Sequence, residues 1–457
     1  MTLDDLGRRK VAVWGMGREG LAMARLLIER GSSPVLIDDH VESAAGRVEA
    51  TLSSALPVLS PDRTEWGGLE VVVRSPGVSR YREELAAAES QGVTVTTATA
   101  VWLEDFHAAP VLAITGTKGK STTAALAASI LEHLGLSVAL AGNIGEPVTD
   151  LYGRDAVDAY VVEVSSYQAA DVTVSPRVCV LTSLAPDHLD WHGGVETYYR
   201  DKLRLITAGP PGMLAVNAAS AEAVRRTDDH PHRTRFGSSG RVRVEPSGTI
   251  SVDGSPVVAA DRLRVPGEHN VANLCGAIAG VLLLRGEPPS VAAVAAAVDG
   301  YDGLPSRCRT VGERDGLTFV DDALASNPFA TEASVAAFPG RDLTVIMGGA
   351  DRGVDLRELA DVLAARRPGP KVVVLPPNPE RMVDALRDAG SASSPPLSVE
   401  TAGDLEAAVT KAVAMTPKGG VVLFSPAAPT PEGGGDYRQR SRQFISAIGL
   451  PPDVDVE

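Results

Sequence analysis

The chain is short of cysteine, of positive charge and of long apolar runs, and each shortage removes a class of function. Only three cysteines occur in 457 residues, Cys179, Cys275 and Cys308, far apart from one another. They show no metal-ligand spacing and no disulfide framework, which suits a reducing cytosol. Lysine and arginine number 43 against 58 acidic residues, a net charge of −15. Such a surface argues against nucleic acid as a partner, because phosphate backbones need basic patches. It leaves nucleotides open, since they need only a local basic site. No apolar segment is long enough to span a membrane. The acidic start, Met-Thr-Leu-Asp-Asp, runs straight into a strand pattern, so no signal peptide is expected. The expectation is a cytoplasmic protein without nucleic-acid or membrane partners, and a monomer. With 44% apolar and 22% charged residues, the composition is ordinary for a globular chain. Its length suggests about three domains.

What is present centres on Val111-Leu-Ala-Ile-Thr-Gly116-Thr-Lys118-Gly119-Lys120-Ser121-Thr122. An apolar run reads as a buried strand, it breaks at Gly116, and a helix begins at Ser121. Strand, glycine turn and helix start make a phosphate cradle, with backbone N–H groups and the helix dipole facing the anion. Lys120 can reach the outer phosphates, and the Ser121 hydroxyl can ligate Mg²⁺. Two residues separate the glycines where the common P-loop has four, so this is a variant.

Ahead of it, Val11-Ala-Val-Trp-Gly15-Met-Gly17-Arg-Glu-Gly20 is a strand and a G-x-G-x-x-G turn, leading into a helix expected over Leu21–Glu29. A second strand ends at Asp38 and Asp39. This is a Rossmann-like start that can hold a diphosphate, and the turn by itself is weak evidence for NAD. A third strand, Glu70–Arg74, ends in Ser75-Pro-Gly77-Val-Ser79. Behind the P-loop come Gly142-Asn143-Ile-Gly145, a strand ending in Glu163-Val-Ser165-Ser166, and Asp187-His188-Leu-Asp190-Trp-His192. A carboxylate at the end of an apolar strand needs a cation or hydrogen bonds if buried. Oxygen ligands with an imidazole suit Mg²⁺ or Mn²⁺. Tyr198–Ile206 is helical. Residues 225–262 are polar, with short β alternations and a turn at Asp253-Gly254. A helix follows Asn270 to about Arg285, and the loop from Gly300 to Arg307 reads as a domain boundary. Beyond it lies a third α/β unit with strands near 318–322, 343–347, 371–375 and 420–424. Residues 390–398 are Ser/Pro-rich and read as a surface loop.

Gly116-Thr-Lys-Gly-Lys-Ser-Thr, Gly142-Asn-Ile-Gly, Glu163-Val-Ser-Ser, Asp187-His-Leu-Asp, Tyr199-Arg-Asp-Lys202, His269-Asn270 and Leu304-Pro-Ser-Arg307 together resemble the Mur ligase family, over nearly the whole chain and in order. The resemblance implies three α/β domains. These are a Rossmann-like UDP-sugar domain over 1–98, a central P-loop ATPase domain with a parallel sheet over 99–304, and a Rossmann-like amino-acid domain over 305–457. It also implies an ATP-dependent ligase that joins glutamate to UDP-N-acetylmuramoyl-L-alanine through an acyl phosphate, in peptidoglycan synthesis. Gly116, Thr117, Lys118, Gly119, Lys120, Ser121 and Thr122 would bind ATP, with Asn270, Arg307 and Asp322. Two Mg²⁺ ions are implied, one on Ser121 and Glu163, the other on His188 and Lys202. Lys202 would carry CO₂ as a carbamate, which turns a cation into an anionic oxygen ligand. Lys120, Glu163, His188 and Lys202 form the implied catalytic set, with Asp187 orienting the metal shell. Gly15, Asp38, Ser75, Asn143 and Ser165 would hold the UDP-sugar, and Ser326, Arg352 and Ser425 the glutamate.

The pattern departs from the D-glutamate-adding branch in one stretch. That branch reads Asp-Ser-Lys-Ala-Thr-Asn where this chain has Asp322-Ala-Leu324-Ala-Ser326-Asn327. Leu324 thus stands where a lysine would help hold the glutamate carboxylate, and Arg352 is a candidate replacement. The C-terminal loop from Ser425 also differs. These features resemble the branch that adds L-glutamate and works with a separate product epimerase. D-glutamate is the alternative. A dehydrogenase leaves the P-loop unexplained, and a non-catalytic nucleotide switch leaves the third unit unexplained.

Overall fold

The computed structural model describes residues 1–52, 56–351, 353–377, 379–391, 397–431 and 433–449. The chain divides into two compact units. One comprises Met1–Arg262 and Val271–Val298, the other Leu263–Asn270 and the chain from Asp299 onward. The first unit contains two sheets, so the first two expected domains cluster together.

Its N-terminal sheet has five parallel strands in the order Val58–Leu59, Val35–Ile37, Val11–Trp14, Val71–Arg74, Thr94–Thr96. Val11–Trp14 and Val71–Arg74 are buried along their whole length, as helix-covered parallel strands must be, which is why each opens on three successive apolar residues rather than on an alternation. Strand order reverses at Val11–Trp14, and Gly15 and Ser75 follow the two strands that part there. The helix expected from Leu21 starts at Arg18, directly after its cap Gly17. Gly20 therefore sits inside the first turn, where a Cβ would lie 1.9 Å from the Gly15 carbonyl oxygen. Only glycine lets the helix approach its own turn so closely, and Arg18 and Glu19 become helical as a result.

The central sheet has nine strands. Their order is Ser255–Ala259, Thr249–Val252, Val242–Val244, Arg233–Gly237, Met213–Asn217, Val178–Leu181, Val111–Thr115, Ala159–Glu163, Val138–Gly142. All neighbours are parallel except the last two pairings at the 255–259 end. The polar stretch expected over 225–262 thus extends the central sheet and closes it with a hairpin turning at Asp253-Gly254. The P-loop strand lies between Val178–Leu181 and Ala159–Glu163, so the loops after all three open at one sheet edge.

The two sheets of this unit are held together by a buried ion pair. Arg74 reaches Asp171 at 2.5 Å, donates to the Val78 and Tyr167 carbonyls at 3.1 and 2.7 Å, and lies 5.1 Å from the Trp191 ring centre. Arg80 meets the other Asp171 oxygen at 2.7 Å.

The second unit carries six strands in the order Arg309–Arg314, Leu317–Asp321, Val421–Phe424, Leu343–Met347, Lys371–Val374, Ser398–Thr401. The first pairs antiparallel, the rest parallel. The two edge strands escape sequence reading because they are largely polar and exposed. Of the loop expected over 390–398, residues 392–396 lie outside the described residues, and Ser398 opens the edge strand. Among the described residues, no helix is long and apolar enough to cross a membrane.

Removing one partner of a desolvated pair leaves a buried charge unmatched, a cost of about 3–5 kcal/mol. Arg74→Ala should therefore lower the stability of the first unit by that order in urea titrations followed by tryptophan fluorescence. A loss below about 1 kcal/mol, the range of exposed pairs, would deny the pair this role.

Candidate functional site

The site in the first unit is built on three strand ends. After Val111–Thr115 the backbone turns at Gly116, with φ +149°. A Cβ there would lie 2.0 Å from Thr182 Oγ1 and 2.9 Å from the Ser183 amide nitrogen. A side chain does not fit there. The neighbouring loop braces the turn from outside. Thr182 Oγ1 donates to the Lys118 carbonyl at 2.6 Å, the Thr117 amide to the Ser183 carbonyl at 2.9 Å, and the Lys118 amide to Ser183 Oγ at 2.9 Å. Thr182 and Ser183 were not singled out from the sequence; their position directly after a parallel strand was the available signal. The helix Lys120–His133 starts from Gly119 without a side-chain cap, which suits its first turn to an anion.

The expected residues Ser121, Glu163, Lys120, Lys202 and Asn143 come together here. Ser121 Oγ donates to Glu163 Oε2 at 2.6 Å, and Asn143 Nδ2 to Glu163 Oε1 at 2.7 Å. Glu163 is 1% exposed; the two bonds answer the cost of burying a strand-end carboxylate. Asn143, expected at a UDP-sugar, thus also supports Glu163. Lys120 Nζ donates to the carbonyls of Gly116 and Thr117 at 3.0 and 3.2 Å, and Lys202 Nζ to the same Gly116 carbonyl at 2.9 Å. Lys202, on the helix Val195–Thr207, is 2% exposed and lies 5.1 Å from the Tyr198 ring centre. Burial first, then the charge of Lys120, holds its amine well below the usual lysine range. The free amine is the form that reacts with CO₂, and burial favours that form over the ammonium.

His188 has φ +52° and caps the short helix Leu189–His192. Its side chain is half exposed and its ring lies 4.9 Å from that of Tyr167. Burial, followed by the charges of Lys120, Lys202 and Lys118 and opposed by Asp187, keeps the imidazole below its ordinary range, the neutral ligating form. Lys118 stands 3.7 Å from Asp187. Among the described residues no group of three or more His, Cys, Asp or Glu side chains is assembled for a metal. The candidate set is instead a hydroxyl, one carboxylate, an imidazole and a lysine, and the buried Ser121–Glu163 oxygen pair suits a hard cation.

At the N-terminal turn, Ser75 Oγ donates to the Gly15 carbonyl at 2.5 Å. Asp38 accepts from the Met16 and His40 amides at 2.7 and 2.9 Å, so its carboxylate braces the turn. Ser165 caps the helix Ser166–Ala169 in a reciprocal box with Gln168. Beside it a buried network missed by sequence reading links Ser166 Oγ, His192 and Asp201 at 3.0 and 2.7 Å, and Tyr81 donates to Asp201 at 2.8 Å.

Asn270, Arg307, Asp322, Ser326 and Ser425 belong to the second unit. Asn270 Nδ2 donates to the Pro266 carbonyl at 2.6 Å, and Arg307 is exposed. Asp322, expected at ATP, is buried and accepts from the Cys308 amide at 3.0 Å and from Ser334 and Ser425 Oγ at 2.7 Å each. Burial pushes its carboxyl up to about 7 against the pull of those hydroxyls. Ser425 is fully buried, and its Oγ also lies 2.8 Å from Thr331 Oγ1, from which it can accept. Ser326 lines a cleft with Gly349, Asp351, Arg381, Ala427 and Pro429 at the carboxyl ends of the parallel strands, where open α/β sheets bind ligands. Arg352 lies outside the described residues. Arg381 is the cation on this cleft that sequence reading passed over, though it follows a parallel strand's end.

A side chain at Gly116 must displace the loop that both lysines grip. Gly116→Ala should weaken binding of a nucleoside triphosphate with Mg²⁺ by about tenfold or more, equivalent to ~1.4 kcal/mol, in calorimetric titration, with the circular dichroism unchanged. Unchanged affinity would separate this turn from phosphate binding.

Residues 9–97 match the Mur ligase MurD-like N-terminal domain, 114–281 the Mur ligase middle domain, and 306–428 the Mur ligase glutamate ligase domain. A Micromonospora protein named UDP-N-acetylmuramoyl-L-alanine--L-glutamate ligase is 41% identical, covering 98% of both chains. Proteins of the same name from Salinispora tropica and Xanthomonas euvesicatoria are 40% and 35% identical, over 98% and 99% of this chain and 99% and 97% of theirs. Among solved structures, the fold resembles UDP-N-acetylmuramate-alanine ligase MurC from Thermotoga maritima, with TM-score 0.59 and 20% identity over 97% of this chain and 99% of that one. It also resembles MurF ligase from Thermotoga maritima in complex with ADP, with TM-score 0.57 and 16% identity over 97% and 98%. Three matching domains in order and relatives of this identity along nearly the full length establish that the chain belongs to the Mur ligase family.

Proposed function

We propose that the chain joins L-glutamate to UDP-N-acetylmuramoyl-L-alanine at the cost of ATP, a step of peptidoglycan precursor synthesis in the cytoplasm. The observation that carries an ATP-driven ligase is the convergence of Lys120 and Lys202 on the Gly116 carbonyl beside the buried Ser121–Glu163–Asn143 cluster. The reading assigns residues 1–98 to the UDP-sugar, 99–304 to ATP and 305–457 to the amino acid.

The γ-phosphoryl group of ATP passes to the alanine carboxylate, giving an acyl phosphate. The glutamate amine attacks its carbonyl carbon, and the tetrahedral intermediate releases phosphate and forms the amide. Phosphorylation turns a poor leaving group into a good one, and the protein supplies position and charge. Lys120 swings from its loop carbonyls to the transferring phosphate. Ser121 and Glu163 would hold one Mg²⁺, and His188 with carbamylated Lys202 a second; bound there, the metal supplies charge that neutralises phosphate oxygens. Lys202, whose burial favours the free amine over the ammonium, would add CO₂ at Nζ and release a proton. Asn143 keeps Glu163 oriented, and Arg307 would reach the γ-phosphate.

L-glutamate is preferred over D-glutamate because Leu324 removes the cation of the D-glutamate branch, and because relatives at 34–41% identity carry the L-glutamate name. The free-amine and carboxylate ends of the amino acid are assigned to the cleft of Ser326. The epimerase that this stereochemistry calls for would be a separate protein.

ADP release should require both UDP-N-acetylmuramoyl-L-alanine and glutamate, and should proceed with the L enantiomer. Turnover with D-glutamate alone ends the L-glutamate reading, and nicotinamide reduction without ATP ends the ligase reading. Lys202→Ala should lose most activity, and short carboxylic acids should recover part of it by filling the ligand position. Near-normal turnover without rescue would remove Lys202 from the metal shell.

A further inference from the structure

The glycines of Gly15-Met-Gly17-Arg18-Glu19-Gly20 have a role in the turn, but the two residues between the last of them do not yet have one. Both reach from the N-terminal sheet to the central sheet. Arg18 Nη1 donates to the Gly145 carbonyl at 2.8 Å, and its Nη2 to the Gly142 and Asn143 carbonyls at 2.9 and 3.4 Å. These carbonyls belong to the loop that presents the Asn143 side chain to Glu163. Glu19 Oε1 accepts from Gln168 Nε2 at 2.7 Å. Gln168 Oε1 in turn accepts from the Ser165 amide and hydroxyl at 2.8 and 3.0 Å. One dipeptide thus grips the two loops that follow the strands Val138–Gly142 and Ala159–Glu163, on either side of the Glu163 carboxylate.

The placement is enforced by the fold. Gly20 brings the helix Arg18–Glu29 onto its own turn, so Arg18 and Glu19 occupy the first helical turn and follow any movement of the backbone at Gly15–Gly17. A diphosphate bound at that turn would take the N–H groups of this backbone. The planar guanidinium fork spans these three carbonyls from two nitrogens held in fixed geometry, which a lysine's compact ammonium on a flexible stem does not reproduce, and it would carry a shift of the turn to the loop. From there it reaches Asn143, then Glu163, then Ser121 at the start of the P-loop helix.

We propose that Arg18, with Glu19, is a positioning residue that couples occupancy of the N-terminal diphosphate turn to the Glu163–Ser121 site, so that UDP-sugar and nucleotide bind cooperatively. The proposal rests on the ligase reading above. It requires that each ligand stabilise the same arrangement of the 142–145 loop, and linkage makes the effect reciprocal.

The test is calorimetric titration of the full chain with Mg²⁺ and a non-hydrolysable ATP analogue, with and without saturating UDP-N-acetylmuramoyl-L-alanine. The wild type should bind the analogue about tenfold more tightly when the UDP-sugar is present, a typical coupling. Arg18→Ala should bind the analogue alone as the wild type does and lose most of that enhancement. In steady state its KM for ATP should become independent of UDP-sugar concentration. Arg18→Lys keeps the charge without the fork and should also fail to restore the linkage; it serves as the test if Arg18→Ala does not fold. Enhancement preserved in the folded variant, or absent from a wild type that binds both ligands, overturns the brace alone. A wild type that binds no UDP-sugar overturns the ligase reading beneath it.

Discussion

The Glu163 carboxylate is the constraint on which the rest of the first unit depends. It stands at the end of a fully buried strand and would be costly there without partners. Two donors meet its two oxygens, and they come from different loops: Ser121 opens the P-loop helix, and Asn143 follows the strand on the opposite side. The carboxylate therefore ties the phosphate turn to the 142–145 loop. Because that loop is gripped from outside by Arg18, the tie extends into the N-terminal sheet.

A second constraint is the Gly116 carbonyl, which accepts from Lys120 and Lys202. Two lysines on one carbonyl disfavour each other's charged form, most of all the one that is buried. Burial and Lys120 together lower the proton affinity of Lys202. The carbonyl that holds Lys120 thus also holds a buried amine of lowered proton affinity. The outer wall of this region is the Arg74–Asp171 pair with the Tyr81–Asp201–His192–Ser166 network, all between the two sheets of the first unit. Lys202 follows Asp201 on the same helix, so the network that seats Asp201 also seats the lysine.

The P-loop, the acid at the end of Ala159–Glu163 and the three α/β units were legible because each is a local pattern. An apolar run, a glycine turn and a helix start occupy a dozen residues and need no knowledge of distant chain. The start of the helix at Arg18 was less legible, since only the packing of Gly20 against Gly15 reveals that the turn is already helical. The edge strands Arg309–Arg314 and Ser398–Thr401 were hidden because their pairing lies with neighbours rather than in their own polarity. The family resemblance implies glutamate binding at Ser425, which follows a strand; its hydroxyl is turned inward onto Asp322 and Thr331. Position at a strand end says where a residue is, and packing decides which way its side chain faces.

By itself, the sequence determined the order of the motifs, the parallel α/β class and the presence of a phosphate-binding turn, because hydrophobic period and glycine placement act over short distances. Only the tertiary structure decided that Asn143 supports Glu163, that Lys202 shares a carbonyl with Lys120, and that Arg18 and Glu19 clasp the loops beside them. Those contacts join residues 20 to about 150 positions apart. They exist only once strand register has set the loops at one sheet edge and close packing has brought each buried polar group its partners.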